Sequence, residues 1–550
     1  MVEISGANII TKALEDNEAR YVFSHPGGPI LPIYDTLRER PSVRNILVRH
    51  EGAGSFMADA FSRVSGKIGV CMSTMGPGAE NMTIGVATAY SDSVPLLAIT
   101  GQLSTTVLGR GYQQETDHVS MFRPITKWST QVLRTESLPA TLRRAFCVAF
   151  ENRPGPVHLD IPRDVQLEKV DVDLGSGRAA LISNIAQPRE SIERTISMLS
   201  ESRHPVLLVG GGVITANAGE HLTRLARTLR LPVVTSYNGR GAVSEEIEEA
   251  LGRAGEFTVP IPGRVLEKAD LILVLGYRFT DVSTEGWHPA KQARIIQVDI
   301  DSKELGKNVR VDLAIHSDAR LFLDSLLSLI DAEKSSNLRR DDWLVECARA
   351  LADWKKSYQE TMLSKAKPIK PQRVIYEINR RLPKDAIVVA GAGRCKTWAA
   401  TLIPIRAPRC WIHSGGYAPM GYPLCGAIGA KFAEPRKCVL AIDGDASFQM
   451  HCQEIATAKE HDLPVVVCVL NDMGLGAMRT AQIHSYGRRM FGVDFNVDVN
   501  TAIVAEAFGG AGERVDDPEA IGPALDRALS SKVPFVIDVV VDREEEPIFR

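Results

Sequence analysis

The sequence predicts an α/β protein of three consecutive domains, each built on an open parallel sheet. The chain has 550 residues, which is more than one hydrophobic core holds. Short apolar runs of strand length alternate with helix-like segments along most of the chain. Glycine-rich joints follow several of these runs, at the positions where open α/β sheets bind ligands. We therefore expect domains at residues 1–170, 188–330 and 368–545.

Composition argues against several classes of protein. Hydrophobic residues make up 44% of the chain and charged residues 24%, as in ordinary globular proteins. A net charge of -3 gives no footprint for nucleic acid. No apolar run reaches the length of a membrane span, and the first residues do not resemble a signal peptide. The nine cysteines lack CxxC spacing, which favours reduced thiols and a cytoplasmic location.

In the N-terminal third, the runs 68–72, 95–100 and 157–161 are apolar enough to be strands covered on both faces. Two glycine-rich joints, 25–28 and 75–81, lie where strands should lead into helices. Between them, Glu51 stands in the first turn of a predicted helix. Such an acid either interacts with the helix dipole alone or has a function of its own.

In the middle third, residues 166–188 are polar and are predicted to form a linker. Four apolar runs follow, and each predicts a buried strand: 205–212, 231–235, 271–275 and 295–300. Three consecutive glycines, Gly210 to Gly212, suggest a dinucleotide site. However, Thr215 occupies the place of the third glycine of GxGxxG, which argues against a nicotinamide oxidoreductase.

The C-terminal third follows a charged, helix-prone segment, 331–367, and its first predicted strand is 387–390. The runs 438–442 and 465–470 predict neighbouring parallel strands, so Asp445 and Asp472 should lie at adjacent strand ends. A helix predicted at 447–459 would offer free N–H groups to an anion. A Mg²⁺ ion between the two carboxylates would suit this place. The alternative is that Asp443 and Asp445 only cap the helix.

Gly444-Asp445-Ala446-Ser447, the helix and the later Asn471-Asp472 together resemble the metal and diphosphate signature of thiamine diphosphate enzymes, in particular the acetolactate synthase group. The resemblance extends over nearly the whole chain, in the order pyrimidine-binding, middle and diphosphate-binding domain. It implies that Asp445, Asp472 and the Gly474 carbonyl hold Mg²⁺.

The same resemblance implies two catalytic residues, Glu51 and Gln114. Glu51 matches the family's acid that hydrogen-bonds to the aminopyrimidine ring and so promotes removal of the thiazolium C2 proton. Met420 matches the residue that holds the cofactor bent, and the Ala418 carbonyl the acceptor for its amino group. The remaining cofactor contacts are expected to be Pro26, Gly27, Thr74, Gly78, Asn81, Arg394, Cys395, Gly444, Ala446, Ser447 and Leu475.

The chain also departs from the family pattern. Asp472 stands where Asn is commonest, and Arg394-Cys395-Lys396 replaces Gln-His-Gln. We expect Arg394 or Lys396 to offset the extra charge of Asp472, because buried charges need partners. Ala481 stands where the family has a Trp that selects the second substrate. Lys127 could face either an acidic substrate or solvent.

The implied reaction is thiamine diphosphate- and Mg²⁺-dependent decarboxylation of a 2-oxoacid with ligation to a second carbonyl compound. The alternative is a non-ligating decarboxylase or a carbon-carbon lyase. The middle domain either holds FAD or only supports its neighbours, since the usual MHG stretch is replaced at 253–255. Expected partners are small 2-oxoacids, with neither nucleic acid nor membrane. We expect a homodimer or homotetramer with active sites between subunits, and the sequence does not indicate whether a regulatory subunit binds.

Overall fold

The computed structural model describes residues 2–172, 186–255, 257–284, 288–289, 292–330 and 336–549. It contains three six-stranded sheets in which every neighbouring pair of strands is parallel. The predicted fold class is therefore confirmed. No helix in the described ranges is both long and apolar enough to cross a membrane.

The first sheet has the order β3-β2-β4-β5-β7-β6, and a small antiparallel pair, β1 and β8, lies beside it. These eight strands are β1 Val2–Ser5, β2 Tyr21–His25, β3 Arg44–Leu47, β4 Gly69–Ser73, β5 Leu96–Gln102, β6 Trp128–Gln131, β7 Pro156–Pro162 and β8 Lys169–Val172. The α-helices are Gly6–Asp16, Leu31–Leu37, Glu51–Ser65, Pro77–Asp92, His118–Phe122, Leu138–Phe150 and Arg163–Leu167. The predicted linker was partly wrong, because β8 still belongs to this unit; residues 173–185 lie outside the described ranges.

The middle sheet has the order β11-β10-β9-β12-β13-β14, which is the strand order of dinucleotide-binding folds. Its strands are β9 Pro205–Val209, β10 Val233–Thr235, β11 Ala250–Arg253, β12 Leu271–Leu275, β13 Arg294–Asp299 and β14 Leu313–His316. Its helices are Arg189–Glu201, Gly211–Thr215, Gly219–Leu229, Pro260–Lys268, Asp281–Thr284 and Ala319–Leu329. The four predicted strands are present, although the first ends at Val209 and not at residue 212 because a helix begins at Gly211. Strands β11 and β14 are additional.

The third sheet has the order β16-β15-β17-β18-β20-β19. Its strands are β15 Ile387–Ala390, β16 Trp411–His413, β17 Val439–Gly444, β18 Val466–Asn471, β19 Ala511–Val515 and β20 Phe535–Val540. The helices are Asp341–Met362, Pro371–Arg381, Arg394–Leu402, Tyr422–Ala433, Asp445–His451, Glu454–Glu460, Gly476–Ser485, Thr501–Ala507 and Ile521–Ser530. The single helix predicted at 447–459 is wrong: it begins at Asp445 and is interrupted after His451.

The first and third units are joined by two helices, Glu51–Ser65 and Tyr422–Ala433. Small residues let them approach closely: a Cβ atom added to Gly429 would lie 2.2 Å from the Met57 carbonyl oxygen. Polar groups fix the contact as well. The Tyr422 hydroxyl donates to the buried Asp59 carboxylate at 2.6 Å, and the Arg49 backbone N–H donates to Glu454 at 2.9 Å.

Candidate active site

The strand order of the third sheet brings three polar loops to one edge. Strand β15 lies beside β17, and β17 beside β18, so the loops that follow their carboxyl ends are neighbours. After β15 the chain forms β16 on one side, whereas after β17 it forms β18 on the other side, so the strand order reverses between β15 and β17. Open α/β sheets bind ligands at such a position. These loops carry Arg394, Asp445 and Asp472.

Asp445 is the first residue of its helix and is 3% exposed. Its Oδ1 atom has no hydrogen-bond partner among the described residues. Burial, and next the charge of Asp472, raise the pKa of Asp445 to about 7, although N–H groups including that of Gly474 act in the opposite direction. Two carboxylates that destabilise each other in a buried place are suited to a bound cation.

Asp472 is paired with arginines, as its extra charge requires. Its Oδ2 atom lies 3.7 Å from Arg394 Nη1, while Arg394 also donates to Thr480 and to the Arg543 carbonyl at 2.7 Å each. Burial raises the pKa of Asp472 overall, and the charges of Arg394 and Arg543 oppose that rise. Of the two cations expected to approach Asp472, Arg394 is the one that does so; the Lys396 ammonium lies instead over the ring of Tyr237.

Arg543 was not predicted to belong to this site. It lies in the C-terminal tail and donates to the carbonyls of Asp472 at 3.0 Å and Met473 at 2.9 Å. The segment around Gly474 is further fixed by a bridge to Asp494 and by the Leu475 N–H, which donates to the Val493 carbonyl. Because these contacts join residues distant in sequence, no local pattern signals them.

The residues present fit Mg²⁺ and a diphosphate group. No cluster of three or more His, Cys, Asp or Glu side chains suited to a metal exists within the described ranges. A cation here would therefore rest on two carboxylates with backbone and cofactor oxygens, which is the way Mg²⁺ usually binds. Nothing lies within 4 Å of a Cβ added at Gly444, so a ligand can approach the backbone at the start of the Asp445 helix.

The loop that carries Ala418 and Met420 is held from both sides. On one side, the Gly421 N–H donates to Ser447 Oγ at 2.8 Å, which ties the loop to the Asp445 helix. Ala418 itself adopts a φ of 50°, an unusual conformation for a residue other than glycine.

On its other side the same loop contacts the first unit. The Gly416 N–H donates to Asp92 at 3.1 Å, and Asp92 is paired with Arg63 at 2.9 Å and lies 3.8 Å from Arg278 of the middle unit. Burial acts to raise the pKa of Asp92, but the charges of Arg63, His413 and Arg278 lower it to about 2. Asp92 thus joins all three units at the loop of Met420, and no sequence motif signals this role.

Glu51 begins the helix that follows β3, the edge strand beside β2 in the first sheet. Its Oε2 atom accepts a hydrogen bond from Asn81 Nδ2 at 3.0 Å, and its Oε1 would lie 3.2 Å from a Cβ atom added to Gly78. Thr74 packs against Gly27 and its buried hydroxyl lacks a partner among the described residues. The structure thus brings together the predicted residues Gly27, Thr74, Gly78 and Asn81 with Glu51.

A buried polar network supports this end of the first sheet. The Gly76 N–H donates to His118 Nε2 at 3.0 Å, and His118 Nδ1 lies 2.9 Å from Asp160. Gln114, exposed and with a φ of 66°, lies next to Gly76. His118 and Asp160 were not predicted, because neither stands in a recognisable motif and they meet only in the folded chain.

The predicted site residues are divided between two units of the chain. Glu51 belongs to the first unit and accepts there from Asn81, whereas Asp445 and Asp472 belong to the third. Lys127 meets neither of its two expected surroundings. Its ammonium donates to the Val148 and Glu151 carbonyls at the end of a helix, and burial lowers its pKa to about 8.

Three family models match the chain in succession. They are the thiamine pyrophosphate enzyme N-terminal TPP binding domain over residues 4–121, the central domain over 192–326 and the C-terminal TPP binding domain over 391–539. Each matched range covers all or most of the strands of one of the three parallel sheets.

Similar proteins extend over nearly the whole chain. A probable acetolactate synthase large subunit of Methanocaldococcus jannaschii is 38% identical over 98% of this chain and 93% of its own length. The acetolactate synthase isozyme 3 large subunit of Escherichia coli is 35% identical over 99% and 96%, and the acetolactate synthase large subunit of Haemophilus influenzae is 34% identical over 99% and 96%. These matches imply thiamine diphosphate with Mg²⁺ as the cofactor. The chain therefore belongs to the thiamine pyrophosphate enzyme family and is an acetolactate synthase-like enzyme.

Proposed function

We propose that this enzyme decarboxylates a 2-oxoacid and ligates the remaining acyl unit to a second carbonyl compound. The observation that carries the proposal is the pair Asp445 and Asp472, at neighbouring strand ends, with a buried carboxylate oxygen of Asp445 lacking any partner in the described chain. When bound, thiamine diphosphate supplies a carbon nucleophile and an electron sink, which is the chemistry that decarboxylation of a 2-oxoacid needs.

The residues of the chain take distinct roles in this proposal. Asp445, Asp472 and the Gly474 carbonyl hold Mg²⁺, while the N–H groups at the start of the Asp445 helix bind the diphosphate. Ala418 and Met420 hold the ring system, and Glu51 exchanges a proton with its aminopyrimidine nitrogen. The other contacts remain those predicted from the sequence, as do the domain boundaries at 1–170, 188–330 and 368–545.

We also propose that the site is completed by a second copy of the chain. The support is that Glu51 belongs to the first unit and Asp445 to the third, although both serve the same small cofactor. The test is complementation: the inactive variants E51Q and D445N are mixed, dissociated and reassembled. If the two residues act across subunits, half of the dimers are hybrids with one intact site, and about a quarter of the activity returns. If both act within one chain, none returns.

The reaction is tested by a screen of 2-oxoacids with thiamine diphosphate and Mg²⁺, with products identified by mass spectrometry. Coupled products such as acetolactate from pyruvate would support ligation. Release of CO2 with only the aldehyde as product would instead support the alternative, a non-ligating decarboxylase. Because exposed Ala481 stands where the family has a Trp that selects the second substrate, the coupled product also identifies that substrate.

The role of Glu51 is tested by E51Q with E80Q as its control. Gln keeps the shape and the hydrogen bond to Asn81 but cannot exchange a proton, so turnover should fall by at least about 100-fold. Glu80 is exposed on the neighbouring helix, and E80Q should keep full activity. Full activity in E51Q would refute the assignment.

Two alternative roles are proposed for the middle unit: it binds FAD, or it only supports the other two units. A visible absorption spectrum of the purified protein decides between them, because bound flavin makes the protein yellow.

A further inference from the structure

A buried histidine that the proposed reaction does not use joins two segments that carry predicted site residues. His118 begins the short helix that follows Gln114 in the chain, and it is 1% exposed. Its Nε2 atom accepts a hydrogen bond from the Gly76 N–H at 3.0 Å, and its Nδ1 atom lies 2.9 Å from Asp160 Oδ1. His118 therefore connects the segment of Gln114, the joint after β4 and the buried strand β7.

These two contacts fix the position of the proton on the His118 ring. A backbone N–H can only donate, so Nε2 must direct its lone pair at Gly76. The proton of the neutral ring then lies on Nδ1 and is donated to the Asp160 carboxylate. A doubly protonated ring would instead place an N–H group against the Gly76 N–H, and two donors repel each other. The geometry therefore requires His118 to be a neutral acceptor toward Gly76.

Asp160 is itself held in place by neutral donors. It is fully buried, and its Oδ1 atom accepts from Thr100 Oγ1 at 2.7 Å as well as from His118. Its Oδ2 atom accepts from Gln131 Nε2 at 2.7 Å. Thr100 lies on β5 and Gln131 on β6, the two strands that flank β7. Three strands of the sheet thus set the orientation of the carboxylate that holds the His118 ring.

Gly76 is the residue at which this support reaches the predicted site. It has a φ of 57° and a ψ of -116°, a backbone conformation that favours glycine. A Cβ atom added to it would lie 2.6 Å from the Gln114 carbonyl oxygen. Gly76 is thus in close contact with both the Gln114 backbone and the His118 ring.

The helix that starts at Pro77, directly after Gly76, carries the neighbours of Glu51. Asn81 donates to Glu51 Oε2 at 3.0 Å, and a Cβ atom added to Gly78 would lie 3.2 Å from Glu51 Oε1. A displacement of Gly76 would therefore move the groups that orient the Glu51 carboxylate.

We propose that His118 is a positioning residue that holds the Gly76 N–H and thereby the orientation of Glu51, building on the proposed function in which Glu51 exchanges a proton with the cofactor. His118 acts only through the backbone of the joint after β4. A neutral acceptor fixed by a buried carboxylate gives this joint one preferred position, and the same contact keeps Gln114 beside it.

Two substitutions separate the two contacts of His118. In H118Q the side-chain carbonyl reaches the position of Nε2 and can accept from the Gly76 N–H. In H118N the shorter amide reaches only the position of Nδ1, so it can donate to Asp160 but leaves the Gly76 N–H unpaired. The matched control is H221N, which removes a histidine paired with Asp324 at 2.8 Å on a helix of the middle unit.

The first measurement uses the full-length protein without added cofactor. Amide hydrogen exchange of the peptide that contains Gly76 is followed by mass spectrometry. This amide should exchange slowly in wild type, H118Q and H221N, and at least about tenfold faster in H118N, because its hydrogen bond is lost there.

The second measurement adds thiamine diphosphate and Mg²⁺ but no 2-oxoacid. Exchange of the C2 proton of the cofactor in deuterium oxide, stopped with acid and measured by NMR, reports the action of Glu51. H118N should slow this exchange about tenfold, because small misplacements of a catalytic group are costly, whereas H118Q should restore most of the rate. Calorimetry should show little change in cofactor affinity, because the diphosphate is bound by the third unit.

Three results would overturn the inference. They are equal exchange of the Gly76 amide in wild type and H118N, equal exchange of the C2 proton in H118N and H118Q, and a loss of cofactor affinity in H118N as large as its loss of C2 exchange. The last result would mean that His118 has only a general structural role.

Circular dichroism melting checks that each variant is folded. If H118N is not, H118L replaces it, since leucine fills the space of the ring but cannot accept from the Gly76 N–H. Because no 2-oxoacid enters either measurement, a failed ligation assay and a failed role of His118 remain distinguishable.

Discussion

At the scale of single residues, the site contains buried acids whose ionised forms are unfavourable unless a partner compensates the charge. Asp443 and Asp445 are both buried, and burial raises the pKa of Asp443, like that of Asp445, to about 7. Each has one carboxylate oxygen without a hydrogen bond among the described residues. A protein keeps such groups where a ligand compensates them.

Arg394 provides the first residue-scale prediction. Because it is the nearest cation to Asp472 at 3.7 Å, R394Q leaves the pair of carboxylates more negative beside a diphosphate. We expect thiamine diphosphate to bind about tenfold more weakly at fixed Mg²⁺. Calorimetric titration of the cofactor measures this.

The control for that change is R380Q, which removes an exposed arginine of the same unit and should leave the affinity unchanged. The double variant R394Q/D472N should bind more tightly than R394Q alone, because it removes the unbalanced charge. Equal affinity of R394Q and wild type would show that Arg394 has only a structural role.

Lys127 provides a prediction about stability. Its ammonium donates to the Val148 and Glu151 carbonyls, in the last turn and just after the end of the helix Leu138–Phe150. K127M leaves these carbonyls unpaired, so the free energy of unfolding should fall by about 1–3 kcal/mol. Urea denaturation measures the change, and K12M, at a half-buried lysine on a helix surface, should cost less than about 1 kcal/mol.

The local pattern around each residue decided which site residues could be predicted. Asp445, Asp472 and Glu51 stand in short motifs whose loop chemistry and flanking elements agree. Arg543 and Asp92 act through partners that are distant in sequence, at Asp472 and Gly416. Their roles arise only when the units are packed.

At the scale of elements, every strand predicted from an apolar run is central in its sheet, whereas the edge strands and the central strands β2 and β20 were missed. The run 271–275 is entirely apolar and forms β12 with the predicted bounds. By contrast, β6 has the sequence WSTQ and is only half-buried, and β14 exposes two of its four residues. Edge strands have one sheet neighbour and less burial, so their sequences carry a weaker hydrophobic signal.

The contact between the helices Glu51–Ser65 and Tyr422–Ala433 provides a prediction at this scale. A Cβ at Gly429 would lie 2.2 Å from the Met57 carbonyl oxygen, which is backbone, whereas at Gly426 its nearest neighbours are side-chain atoms of Tyr422 at 2.9 Å and Val389 at 3.0 Å. Both changes to Ala gain the same helix propensity of up to about 1 kcal/mol. G429A should therefore be less stable than G426A by about 1–3 kcal/mol, measured by urea denaturation. Equal stability would mean that the helices can shift apart freely.

At the scale of the whole molecule, the order of the three units was predictable from the family resemblance, but their mutual contacts were not. Propensity and periodicity describe neighbours along the chain, while Arg49 and Glu454 meet across about 400 residues of sequence separation. Such contacts depend on how complete sheets and helices fit together.

Glu454 provides the prediction on pH. Burial raises its pKa from 4.5 to about 7 although Thr457 and Arg49 oppose the shift. The folded state therefore holds this proton more tightly than the unfolded state. Its contribution to stability is complete below pH 4.5 and is lost as the pH rises through about 7.

The measurement compares wild type with E454Q, which keeps the acceptor for the Arg49 N–H but cannot ionise. Between pH 4.5 and 7 the unfolding free energy of wild type should fall relative to that of E454Q, by at most about 1.4 kcal/mol per pH unit. Because both proteins share Asp443 and Asp445, these other acids cancel in the difference. Parallel pH profiles would contradict the shift.

The aspartate at position 92 has a consequence for how such enzymes diversify. It contacts Arg63 of its own unit, Arg278 of the middle unit and the Gly416 N–H of the third. A chimaera that takes its central portion from a homologue should therefore tolerate the exchange best when the donor also carries a cation at position 278. Recombination between members of the family is then constrained by one shared acid, even where the exchanged segments never touch substrate.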